Sequence, residues 1–74
     1  MADILDVKGL LCPLPVLKAR KRLQALAPGD RLTVLATDPA AAIDMPHFCN
    51  ESGNRLVSHH ADGEVLTFVI EKNG

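Results

Sequence analysis

The sequence predicts an α/β protein: a two-layer α/β sandwich of order β-α-β-α-β-β, with two helices on one face of a four-stranded mixed sheet. Three observations carry this. Four short runs have strand character, at 4–7, 31–36, 55–61 and 64–71. Between the first two the apolar spacing switches to a helical period, and a second helical stretch separates the second run from the third. Asp62-Gly63 between the last two runs is a strong hairpin signal. A helix with one apolar stripe needs a surface to cover, and the sheet supplies it. The chain has 74 residues, so residues 1–74 are expected to form one domain. A domain of this size buries only about 60% of its unfolded surface, which implies a modest core.

Ile4 to Val7 is the first strand. Asp6 follows as a turn stabiliser through side-chain to backbone hydrogen bonds, and Gly9 permits a sharp turn because it tolerates positive φ. Next comes Cys12-Pro13-Leu14-Pro15. Proline is favoured in a first helical turn, where N–H groups have no intrahelical partner and φ is preset. A helix therefore starts at Pro13 or Pro15 and runs to about Ala27, with Cys12 at or just outside its N-terminus. Val16, Ala19, Leu23 and Leu26 form its apolar stripe. Lys18, Lys21 and Arg22 lie opposite, and Arg20 sits at the margin.

Pro28-Gly29-Asp30 ends that helix, with Gly29 expected as a left-handed cap. In the second strand Leu32, Val34 and Ala36 share one face and Thr33 and Leu35 the other. Asp38 is a natural N-cap and Pro39 a natural first helical residue. The pattern predicts a short helix from Pro39 to Ile43, an interruption at Met45-Pro46, and a second helical piece from Pro46 to Ser52. In the last strand Leu66, Phe68 and Ile70 face the core. Leu35, Val65 and Val69 fall on the opposite sheet face.

Composition excludes several classes of function. Only two aromatics occur, Phe48 and Phe68, and the net charge is −1, so base stacking and bulk attraction to nucleic acid have little to work with. No run approaches the ~18 apolar residues of a membrane helix. No basic segment precedes an apolar core at the N-terminus, so a signal peptide is not expected. These features predict a cytoplasmic protein with reduced cysteines. His47 and Cys49 diverge on a helix, and His59 and His60 point to opposite faces of a strand. The sequence predicts no metal site and no cofactor, and Cys49 reads as packing.

Cys12 is the candidate nucleophile. A thiolate is the reactive form of cysteine, and a helix N-terminus stabilises an anion. Pro13 and Pro15 lack two of the donors such an end would offer, so the expected thiol pKa is only modestly below the free value of about 8.5. Four of the eight Lys and Arg residues lie between Lys18 and Arg22. A charge run like this is a solvated helix face or a docking surface for acidic partner proteins, with Lys18 and Arg22 the first choices for contact.

The stretch Leu5-Asp6-x-x-Gly9-x-x-Cys12-Pro13-x-Pro15 resembles the signature of the TusA/SirA-like sulfur-carrier family. The likeness continues through Pro28-Gly29, Asp38-Pro39, Asp44-Met45-Pro46-His47-Phe48-Cys49 and Asp62-Gly63. The resemblance implies the same fold and a persulfide on Cys12. Asp6, Gly9, Pro13 and Pro15 are the supporting motif residues. The implied partners are a cysteine desulfurase or rhodanese-like sulfur donor and a downstream sulfur-acceptor protein. The implied destinations are tRNA thiolation, molybdenum-cofactor synthesis or sulfur oxidation. Leu14, between the prolines, stands where some members have an acidic residue. Two rivals stay open: a regulatory or RNA-interacting module with the same fold, and a dithiol redox protein using Cys12 and Cys49.

Overall fold

The computed structural model describes residues 2–74. Its elements are β1 (Ala2–Asp6), α1 (Leu14–Gln24), β2 (Arg31–Ala36), α2 (Ala41–Ser52), β3 (Arg55–Asp62) and β4 (Val65–Glu71). The architecture is the one the sequence predicts. The sheet order is β1-β2-β4-β3. β1 runs parallel to β2, with Asp6 opposite Leu35, and β4 is antiparallel to both β2 and β3.

Alternation along the strands fixes which face is buried. Leu32, Val34, Ala36 and Ile70 are fully inaccessible and Phe68 nearly so. The two helices contribute Ala19, Leu23, Ala41, Met45 and Cys49 to the same core. Thr33, Leu35, Val65 and Val69, on the other sheet face, are half-buried.

Several boundaries differ from the sequence reading. α2 begins at Ala41 with Ala40 as its N-cap, where the sequence predicts Pro39 and Asp38; the Asp38 side chain instead accepts Ala40 N–H in the turn before the helix. α1 ends at Gln24 rather than near Ala27, because its last carbonyls are taken by i→i+3 bonds: Ala25 N–H donates to Arg22 O at 3.0 Å and Leu26 N–H to Leu23 O at 3.1 Å. Gly29, with φ of 89°, lies in the turn that follows and is not the cap. α2 is also one helix with Pro46 inside it, not two pieces. A proline at this point removes one bond to the carbonyl four residues back. Burial of Met45 and Cys49 on the core side holds the helix through that loss. Lastly, Asp62 pairs with Val65 as the end of β3, so Gly63-Glu64, not Asp62-Gly63, forms the two-residue turn.

Candidate functional site

Parallel pairing of β1 and β2 brings the loops that leave both strands to one edge of the sheet. Val7 N–H extends the pairing by donating to Leu35 O at 2.8 Å. Gly9, with φ of 83°, turns the chain and its N–H donates to Thr37 Oγ1 at 2.9 Å. Asp6 accepts Lys8 N–H at 3.0 Å and pairs with the Lys8 ammonium at 3.7 Å, closing the turn as expected of it. Three residues beyond Gly9, Cys12 N–H donates to Asp38 Oδ2 at 2.6 Å. The other Asp38 oxygen accepts Ala40 N–H at 3.1 Å. One carboxylate thus braces the Cys12 loop and the entrance to α2 together.

Cys12 is exposed and precedes the N-cap Pro13 by one position, with the Cys12–Pro13 peptide cis. Pro13 O accepts the first helical bond, from Leu17 N–H at 3.1 Å. Pro15 is buried against the core. The sulfur opens on a groove of about 330 Å³ between the helices, lined by Cys12, Pro13 and Val16 on one side and Asp44, His47, Phe48 and Glu51 on the other. Past Phe48 the groove continues between Arg20, Glu51 and Ser52. Leu11, Leu14, Leu17 and Ile43 are exposed apolar residues in the same part of the fold.

The thiol pKa runs against the sequence expectation: it is raised, not lowered. The largest cause is the nearby Asp44 carboxylate, which favours the protonated thiol. Partial desolvation and the negative charges of Asp44 and Asp38 add to it. The helix end offers little in opposition. Leu14 N–H is spent on Leu11 O at 2.9 Å, and Pro15 has no N–H. Two carboxylates therefore outweigh a dipole stripped of its leading donors.

The remaining candidates are placed as follows. Arg22 faces β1 and pairs with Asp3 at 2.7 Å, holding the Asp3 carboxyl below its ordinary range. Lys18 and Arg22 line a separate shallow groove with Leu5, Lys21 and Ala25. They do not meet Cys12; the α1 cation in the inter-helix groove is Arg20. Cys49 is buried at 3% exposure, and burial pushes its thiol up to about 11. His47 lies 3.9 Å from Glu51. Among the described residues no group of three or more His, Cys, Asp or Glu is placed to hold a metal ion, and no helix is long and apolar enough to cross a membrane. Sequence reasoning missed Asp44 and the second role of Asp38, because both act across the fold. The nearest signal was their place in the motif segments at 38–39 and 44–49.

An α/β sandwich that presents one exposed cysteine beside a groove has the build of a small thiol protein. The model of the family described as Sulfurtransferase TusA matches residues 3–72, and the chain belongs to that family. The Sulfur carrier protein TusA of Allochromatium vinosum is 42% identical over 76 residues, covering 99% of this chain and all of that protein. Two Neisseria meningitidis proteins, from serogroups A and B and named provisionally as sulfur carriers, are each 44% identical over 70 residues, 95% of this chain and of each relative. The crystal structure of the SirA-like protein of Desulfitobacterium hafniense superposes with a TM-score of 0.83, at 26% identity and with full coverage of both chains.

Proposed function

We propose that this chain is a cytoplasmic, single-domain sulfur carrier that accepts sulfane sulfur as a persulfide on Cys12 and relays it to an acceptor protein. The observation that carries the reading is the exposed Cys12 beside an open groove, in a chain whose relatives are named sulfur carriers. In the first step Cys12 Sγ attacks the outer sulfur of a persulfide on a donor, of the cysteine desulfurase or rhodanese-like class. The bond between that sulfur and the donor's own cysteine breaks, and the donor leaves as a thiol. In the second step an acceptor thiolate takes the outer sulfur from Cys12. Both steps are relatives of thiol–disulfide exchange, and they need access and a nucleophile more than a pocket.

Asp6, Gly9, Pro13 and Pro15 shape the loop that presents the sulfur. Donor and acceptor contact the rim of exposed leucines and the cationic face of α1, where Lys18 is exposed and Arg22 half-buried. The sulfur passes on to tRNA thiolation, molybdenum-cofactor synthesis or sulfur oxidation. The buried Cys49 disfavours a dithiol cycle, which needs both sulfurs within reach of each other.

Intact mass spectrometry after incubation with a desulfurase and cysteine tests the reading. The expected result is a gain of about 32 Da, one sulfur, that reducing agent removes and Cys12→Ser abolishes. A mass unchanged in the presence of an active donor overturns it.

A further inference from the structure

The parallel ladder between β1 and β2 is carried past its last backbone rung by a side chain. That last rung is Val7 N–H to Leu35 O, at 2.8 Å. Bonds of a parallel ladder are evenly spaced and recur at every second residue. The next would join Gly9 N–H to the backbone carbonyl of Thr37. Gly9 N–H goes instead to the Thr37 hydroxyl, at 2.9 Å. The backbones are thereby free to part, yet the sulfur-bearing loop stays tied to the end of β2. Its far end is tied by the neighbouring side chain, where Asp38 accepts Cys12 N–H at 2.6 Å.

We propose that Thr37 is a positioning residue for Cys12: its hydroxyl holds the Gly9 end of the loop, as Asp38 holds the Cys12 end, so that the sulfur is offered to a docked partner from one fixed place. Where sulfur transfer is concerned, this rests on the function proposed above.

The bonding of the loop supports the assignment. Lys8 N–H turns back to Asp6 Oδ1 and Leu10 N–H to Val7 O. Both bonds shape the turn without fixing it to the body of the fold. Among the described residues, the hydrogen bonds that reach from 8–12 across to another element are those to Thr37 and Asp38. Gly9 needs such a hold more than any other residue of the loop. It sits at φ of 83°, has no side chain, and is the most conformationally free point before the sulfur. Leu10 packs on the core, but Leu11 and Cys12 beyond it are exposed.

Placement matters because both reacting sulfurs belong to proteins. The Cys12 thiolate forms a bond to the donor's outer sulfur while the bond from that sulfur to the donor's cysteine breaks. The departing thiolate takes up the proton that Cys12 gave up, so no oxidant or reductant is needed. A misplacement of about 1 Å in such a step can cost up to about a hundredfold in rate. Thr37 tests this more cleanly than Asp38, whose carboxylate also accepts Ala40 N–H at the start of α2.

The test compares wild type with Thr37→Val, which keeps the side-chain shape and loses the acceptor, and Thr37→Ser, which keeps the acceptor. One readout is the rate of sulfur uptake from a persulfidated cysteine desulfurase. The other is alkylation of Cys12 by iodoacetamide, which needs an exposed thiol and no docked geometry. Thr37→Val should slow uptake by at least about fivefold, roughly the worth of one hydrogen bond, and leave alkylation within about twofold of wild type. Thr37→Ser should restore uptake. Uptake by Thr37→Val equal to that of wild type overturns the proposal. So does a parallel fall in uptake and alkylation, which would mean that Thr37 governs the thiol's chemistry rather than its place. Thr37→Ala removes the same acceptor without setting a methyl group against Gly9, and takes the place of the valine variant if that chain does not fold. A wild type that gains no sulfur from an active donor sinks the carrier reading, and backbone NMR order parameters then decide for Thr37. A fall at Gly9 to Cys12 in Thr37→Val supports the positioning role, and unchanged values overturn it.

Discussion

The carboxylate of Asp38 accepts the backbone N–H of Cys12 at 2.6 Å, joining residues 26 positions apart. The second oxygen accepts Ala40 N–H at 3.1 Å. One side chain thus sets the loop that carries the sulfur against the start of α2. Asp38→Ala removes both acceptors and should cost about 1–2 kcal/mol in urea unfolding. Amide exchange at Cys12 should accelerate. Asp38→Asn should recover part of both effects, since an amide oxygen still accepts. An unchanged exchange rate at Cys12 in the alanine variant would mean that other contacts hold the loop.

Most of this fold could be read from the chain, because its elements follow from local rules. Alternation placed Leu32, Val34 and Ala36 on the core face, and they are fully buried. The position of Cys12 beside a proline-led helix followed from backbone chemistry. What could not be read was long-range. Asp38 was read as a helix N-cap, a place that Ala40 takes, and its bond to Cys12 depends on β1 and β2 being parallel neighbours. Asp44 shares a groove with Cys12 only because α1 and α2 lie side by side over one sheet face. The thiol pKa was therefore argued from the dipole alone, with the wrong sign. α2 was cut at Pro46 for a related reason. Local propensity marks a break there, while tertiary burial of Met45 and Cys49 holds the helix through it.

Met45 is fully inaccessible at the centre of α2, one residue before that proline. It joins a cluster that includes Leu32, Val34, Phe68 and Ile70. Truncation leaves a cavity that a helix already short of one hydrogen bond is ill placed to fill. Met45→Ala should therefore lose about 2–5 kcal/mol. For a domain of this size that is a large share of the total. The expected outcome in circular dichroism is a melting transition lowered by many degrees. Met45→Leu, which conserves volume, should cost less than about 1.5 kcal/mol.

Leu14 is 45% exposed in the first turn of α1, a position with no acidic residue. Its side chain contributes to the apolar rim and little to the core. Leu14→Glu places negative charge at a helix N-terminus, which is favourable by about 0.3–1 kcal/mol at an exposed site. Unfolding free energy should stay level or rise slightly. Sulfur uptake from a donor that docks on the apolar rim should fall. The two readouts separate a surface role from a packing role: a loss of stability beyond about 0.5 kcal/mol would place Leu14 in the core.

Cys49 makes a stability prediction with a definite sign. It shares the core-facing side of α2 with Ala41 and Met45, and burial pushes its thiol up to about 11. In the unfolded chain the same thiol ionises near its free value of about 8.5. Below that pH both states hold the proton, and stability does not depend on this group. From about 8.5 upward the unfolded chain releases its proton first, so stability falls as pH rises towards 11. The full amplitude is of order 3 kcal/mol, reached only above pH 11. Cys12, whose thiol is also raised, acts in the same direction. Urea unfolding at pH 7, 9 and 10 should show the decline in wild type and a shallower one in Cys49→Ala, which costs about 1 kcal/mol at neutral pH from lost packing. Because lysine titration is common to both chains, the difference between the two curves reports Cys49 alone. Parallel curves would mean that the thiolate reaches solvent without unfolding, and that the buried sulfur is accessible to reagents after all.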